Sequence, residues 1–114
     1  MTLDTIDFDL KDDDEYPTDL ALEAIQNFQY QDGVHEWFRL IKATWHNADW
    51  GWFEKEDTDD FDNPVKIYRI STGGWSGNEE IIHYMQKNYI LWTSSWYESR
   101  RGGHYTFYVR LDKQ

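Results

Sequence analysis

This sequence predicts an α+β fold, a two-layer single domain. An N-terminal helical hairpin is followed by a β-α-β-β unit with a small, largely antiparallel sheet. Three observations carry that prediction. Apolar residues recur at helical spacing through residues 18–46. Val65–Ile70 reads as a strand that runs through a glycine-rich turn into a third helix. Near the end of the chain Tyr105, Phe107, Val109 and Leu111 alternate with Thr106, Tyr108 and Arg110, the period of a half-buried strand. At 114 residues there is room for one core.

Residues 1–16 form an acidic segment, expected to be partly mobile. Leu3, Ile6, Phe8 and Leu10 are spaced for a short edge strand, and the run Asp12 to Glu15 should be solvated. The domain is expected over 17–114. Thr18 is placed to cap the first helix (18–30), whose stripe is Leu20, Ala21, Ala24, Ile25 and Phe28. Gly33 separates it from a second helix (33–46) with Val34, Trp37, Phe38, Ile41 and Trp45 on one face. Trp50, Trp52 and Phe53 fit either a short strand or a continuation of that helix, and Glu54 to Asn63 reads as an acidic loop closed by Pro64. A strand at 65–71 leads into a turn, Ser71 to Gly77. Ser76 and Glu79 have capping-box spacing, so the third helix is expected from Gly77 to Asn88. Its apolar face is Ile81, Ile82, Met85 and Tyr89. Strands at 89–98 and 104–111 should pair through the loop Ser99 to Gly103.

Composition narrows the function classes. Cysteine is absent, which excludes disulfides, thiolate metal ligands and thiol nucleophiles. The net charge is −11, divided unevenly: residues 1–64 hold 18 Asp/Glu against four Lys/Arg, a net −14, and residues 65–114 hold four against seven, a net +3. The acidic half argues against direct nucleic-acid binding and favours basic partners, while the other half has charge to hold an anion. Seven Trp, eight Tyr and six Phe are more rings than a small core needs, so some are expected on an interaction surface. The first residues carry neither a basic nor an apolar leader, and no apolar run reaches the ~20 residues of a membrane span, so a cytoplasmic protein is expected.

The glycine-rich turn before a helix is the strongest candidate for a site. Free amides and the helix dipole at such a turn favour anions. STGGWSGNE nevertheless matches neither phosphate-loop nor dinucleotide fingerprints, and Glu79 and Glu80 put negative charge in the first helical turn. Three readings stay open: a structural turn, an anion or nucleotide site completed by Arg100 and Arg101, and a protein-contact loop displaying Trp75. His35, His46, His83 and His104 lack paired metal-ligand spacing, and Asp57 to Asp62 lacks the glycine and distal glutamate of a calcium loop, so no metal and no cofactor are expected. His104 is able to meet Ser71 or Ser99, but nothing in the spacing singles out a catalytic pair.

The stretch Ser71–Thr72–Gly73–Gly74–Trp75–Ser76–Gly77–Asn78–Glu79, followed by Trp92, Trp96 and Ser99–Arg100–Arg101–Gly102–Gly103–His104–Tyr105, resembles a pattern in short proteins of unassigned function encoded by tailed bacteriophages and prophages. The resemblance covers roughly residues 65–110. It implies a phage origin and the bacterial host cytoplasm as workplace, and transfers no catalytic residues. A non-enzymatic accessory protein for host takeover or anti-defence is expected, binding a bacterial host protein through Ser71, Thr72, Gly73, Gly74, Trp75, Ser76, Arg100, Arg101 and His104. The alternatives are a nucleotide- or anion-binding module on the same face, and an acidic DNA mimic that captures a basic host protein.

Overall fold

Thr18 starts the first helix as its spacing implies: its side-chain oxygen accepts from the Ala21 N–H at 3.2 Å, satisfying one of the amides a helix start leaves free. The computed structural model describes residues 2–111; residues 1 and 112–114, the latter within the expected domain span, lie outside the described residues. Helix α1 (Asp19–Asn27) buries Ala21, Leu22, Ala24 and Ile25. Leu20, expected on that stripe, is exposed, and Leu22 takes its place. Helix α2 (Val34–Thr44) buries Trp37, Phe38, Leu40 and Ile41, and the Trp37 indole N–H donates to the Ile25 carbonyl at 2.9 Å, fastening the two helices together.

Of the region expected to be an acidic loop, residues 54–58 are instead strand and residues 59–63 form the turn that follows. After a single-turn helix α3 (Ala48–Gly51) the chain forms β1 (Trp52–Thr58), which pairs antiparallel with β2 (Pro64–Ser71). Two features explain it. Asp59 closes the hairpin, its carboxylate accepting from the Phe61 and Asn63 amides at 2.9 Å. Glu54, though in an acidic run, is neutralised by the Lys66 ammonium at 3.0 Å across the strands.

Beyond β2 come α4 (Ser76–Lys87), α5 (Tyr89–Ser95), β3 (Trp96–Arg100) and β4 (His104–Arg110). The expected strand at 89–98 is thus mostly helix. Asn88 is responsible: it ends α4 and caps α5 by accepting from Leu91 N–H, while its buried amide donates to the Ile25 and Phe28 carbonyls at 3.0 Å each. Thr93 and Ser95 return hydrogen bonds to the carbonyls of Tyr89 and Leu91 one turn back. Tyr89 accordingly leaves the α4 face and is exposed.

The sheet order is β1-β2-β4-β3, with every neighbouring pair antiparallel. β4 is inserted between β2 and β3, and the outer strands manage their open edges. β1 carries charged residues from Glu54 to Asp57, and β3 is short with a register shift between Trp96 and Glu98. α1, α2, α4 and α5 share one core cluster with Tyr68, Ile70, Phe107 and Val109, so the helical layer lies on that face of the sheet. Phe38 sits at the centre, stacked on Tyr68 with ring centroids 4.2 Å apart and tilted against Phe107 at 5.1 Å. Burying each such side chain contributes about 1.5–3 kcal/mol. Val65 and Ile67, of opposite parity on β2, are also buried yet lie outside this cluster, beneath side chains of the uncovered face. Leu111, expected inward, is exposed just past the end of β4.

The acidic N-terminal segment forms no edge strand. Leu3–Thr5 is one 3-10 turn, and Leu3, Ile6, Phe8 and Leu10 pack against the core from the side. A lone bridge pairs Lys11 with Pro17, and Asp12 holds the exposed acidic turn between them by accepting from the Asp14 and Tyr16 amides.

Candidate functional site

The two glycine loops meet at one end of the sheet. Ser71 ends β2 and His104 begins β4 directly opposite, with Ser71 Oγ and His104 Nδ1 2.6 Å apart. Just beyond, the Thr72 N–H donates to the Gly103 carbonyl at 3.0 Å. That approach requires glycine, because Gly103 has φ +78° and a Cβ there would collide with Thr72 Oγ1. Thr72 is buried and organises the turn. Its carbonyl accepts from Trp75 N–H, and its hydroxyl receives the Gly74 N–H at 3.3 Å while donating to the Glu79 carboxylate at 3.4 Å. Between Thr72 and Trp75, Gly73 and Gly74 take consecutive positive φ angles of 65° and 75°, the backbone of a tight turn that side chains with a Cβ resist.

Helix α4 begins one residue earlier than its sequence implies. Trp75 is the N-cap, Ser76 the first helical residue, and no side chain caps the amides, so the expected Ser76–Glu79 capping box does not form. The Ser76 hydroxyl turns instead to the Tyr16 hydroxyl of the N-terminal segment.

Trp75 is not the displayed ring. It folds back across Gly77 and is half-buried between two partners. His46 stacks on it with centroids 4.1 Å apart, and Tyr16 tilts against it at 4.8 Å. The tryptophan presented to solvent is Trp50 of α3, 66% exposed, with its ring edge over Gly73. Of the arginines, Arg100 pairs with Glu98 at 3.1 Å, an exposed pair worth at most about 1 kcal/mol. Arg101 is exposed and, among the described residues, has no ion pair or hydrogen bond through its side chain.

Between α3 and the turn lies a cleft of about 360 Å³, lined by His46, Asn47, Trp50, Thr72, Gly73, Trp75 and Asn78. Asn78 builds it. Its side-chain oxygen accepts from His46 N–H at 2.9 Å, and its amide donates to the His46 carbonyl at 3.0 Å and the Thr72 carbonyl at 3.4 Å. One buried amide therefore locks the link after α2 to the glycine turn. His46 Nδ1 is buried without a hydrogen-bond partner, and Asn47 holds φ +61° beside it. The site thus gathers all the sequence-derived residues at one end of the sheet and adds His46, Asn47, Trp50 and Asn78. Asn78 had a visible signal: it occupies the same helical stripe as Ile81, Ile82 and Met85, where an isolated amide needs buried partners. Trp50 had none, because its role depends on the turn made after it.

A larger cleft of about 460 Å³ lies on the helical side, between Leu3, Ala48 and Tyr68. Glu54 dominates its polar wall, receiving the Lys66 ammonium at 3.0 Å, the Lys42 ammonium at 3.8 Å and the Trp52 indole N–H at 2.7 Å. That network consumes its charge in structure. Among the described residues no group of three or more His, Asp or Glu is placed to hold a metal ion, and no helix is long and apolar enough to cross a membrane. Family models, curated proteins and solved structures compared with this chain yield no match, and its own geometry carries the functional reading.

Proposed function

We propose that the protein works by binding, as a phage accessory factor that engages a bacterial host protein in the host cytoplasm through the turn–hairpin end of its sheet. The observation that carries this reading is the fusion of two glycine loops into one surface by the Thr72–Gly103 and Ser71–His104 contacts, with Trp50 exposed and Arg101 uncommitted on it. Tryptophan and arginine are the residue types in which interface energy concentrates. Rigid loops lose little freedom on docking, which favours affinity. The phage setting follows from the resemblance of the turn and hairpin sequences. The anion or nucleotide alternative has less support, since the Trp75 ring lies across Gly77 at the helix start and the Glu79 carboxylate is at the turn itself. The DNA-mimic alternative draws on the net charge alone.

The test is a paired capture experiment. Wild type and the double variant Trp50→Ala, Arg101→Ala are tagged and incubated with bacterial lysate, and bound proteins are quantified by mass spectrometry. Both side chains are exposed, so the variant should melt within ~2 °C of wild type. A host protein retained by wild type and reduced at least ~10-fold by the variant is the expected result, equivalent to about 1.4 kcal/mol of binding energy. Equal retention by both proteins would remove this surface from the function.

A further inference from the structure

We infer that the protein forms a two-fold symmetric dimer by pairing β3 with β3 of a second copy. β3 is an outer strand, and among the described residues no element pairs with its free side. The chain leading into it is exposed and uncharged. Residues 88–97 are the longest stretch without Asp, Glu, Lys or Arg in a sequence that is 29% charged. On that stretch Tyr89 is 74%, Ile90 63% and Trp96 45% exposed. Exposed apolar side chains with no charge among them mark a surface that a partner covers.

Charge selects a second copy as the occupant. Strand register sets Glu98 and Arg100 on the uncovered face, opposite Thr106 and His104. Trp96 and Ser99 stand on the helical face, opposite Phe107 and Tyr105. Glu98 and Arg100 are the only charges on β3, and α5 before it has none. An antiparallel pair centred on Ser99 puts each Glu98 directly across from the Arg100 of the other copy, and facing opposite charges stabilise strand pairs. The Glu98–Arg100 contact within one copy, 3.1 Å, then becomes part of a ring of four alternating charges. On the helical face the Trp96 indole N–H donates to Ser99 Oγ at 2.8 Å, so each ring lies beside the two-fold axis and is covered there by the other copy. The other outer strand does not suit a second copy, because Glu54 to Asp57 of β1 hold three acids against one lysine. The register shift between Trp96 and Glu98 confines regular pairing to Glu98–Arg100, so a single register is offered and assembly closes at two copies. Arg101 stays outside the pairing, and the two turn–hairpin surfaces lie at opposite ends of the joined strands.

The experiment is sedimentation equilibrium of the full chain from ~1 to ~300 μM. A monomer–dimer equilibrium with no larger species is expected. Glu98→Arg sets arginines against arginines across the axis and should weaken the dimer at least ~10-fold. Glu98→Arg with Arg100→Glu reinstates the facing pairs and should restore it to within ~3-fold. Arg100 is exposed and Glu98 only partly covered, so both variants should keep the melting transition. The chain has no cysteine, so Ser99→Cys supplies a single thiol. Residues facing each other across antiparallel strands have Cα atoms about 4.5–5.5 Å apart, within reach of a disulfide. Mild oxidation should therefore link two copies of the Ser99→Cys variant, and link Ser94→Cys, on α5, at least ~10 times more slowly. A monomer at ~300 μM would overturn the inference, as would growth beyond two copies or a dimer indifferent to Glu98→Arg. Failure of the double swap to restore the dimer, or equal cross-linking at both thiols, would also overturn it and place the contact elsewhere.

Discussion

Asn88 is one side chain with four tasks. It stops α4, starts α5, and satisfies two buried carbonyls of α1. Asn88→Ala strands the Ile25 and Phe28 carbonyls and removes a cap, so a loss of about 3 kcal/mol is expected in urea denaturation. A loss under about 1 kcal/mol would mean that water replaces the amide without cost. The tryptophans at the site divide in the same way between structure and display. Trp75→Ala breaks the His46–Trp75–Tyr16 stack and should lower the melting temperature by several degrees, on the order of 5 °C, while Trp50→Ala should not. Reversed melting shifts would exchange their roles. At this scale the sequence was informative about identity and uninformative about direction. Thr72, Gly73 and Trp75 were recognisable as a turn. Which tryptophan faces outward depends on whether Gly77 leaves room for a ring, a three-dimensional fact.

Among elements, most of β1 was read as loop and α5 was read as strand, for opposite reasons. β1 looks like a solvated acidic loop because its partners, Lys66 on β2 and Lys42 on α2, are remote in sequence. α5 looks like a strand because Tyr, Ile, Trp and Thr favour sheets, yet the Asn88 cap and the burial of Leu91 outweigh propensity. The three long helices were legible because their apolar period repeats over several turns, and β4 because it alternates without interruption. β1 also has an acid dependence. Partial burial alone would raise the Glu54 carboxyl, but the Trp52 indole N–H, the Lys66 ammonium and the Lys42 charge together hold it below its ordinary 4.5. A folded-state value below the unfolded one stabilises the fold at pH above about 4.5, and that contribution is lost as pH falls through the lower folded value. Glu54→Gln should therefore melt below wild type at pH 7, and the gap should narrow towards pH 3, as differential scanning fluorimetry across that range would read. A constant gap would show that Glu54 acts through packing.

For the whole molecule, the helical layer lies on one face of the sheet and the uncovered face is left to a buried apolar floor under long polar and aromatic side chains. The α+β class followed from element types alone, and the bipolar charge was legible in composition. Strand order was not, since local pattern does not state which strands are neighbours. That order has a consequence for how the fold is completed. Among the described residues β4 alone supplies the ladder between β2 and β3, and Phe107 and Val109 on it complete the packing of Phe38 and Tyr68. Until His104–Arg110 is in place, the rest of the fold carries an unpaired β2 edge and an open aromatic core, so β4 closes the structure like a keystone.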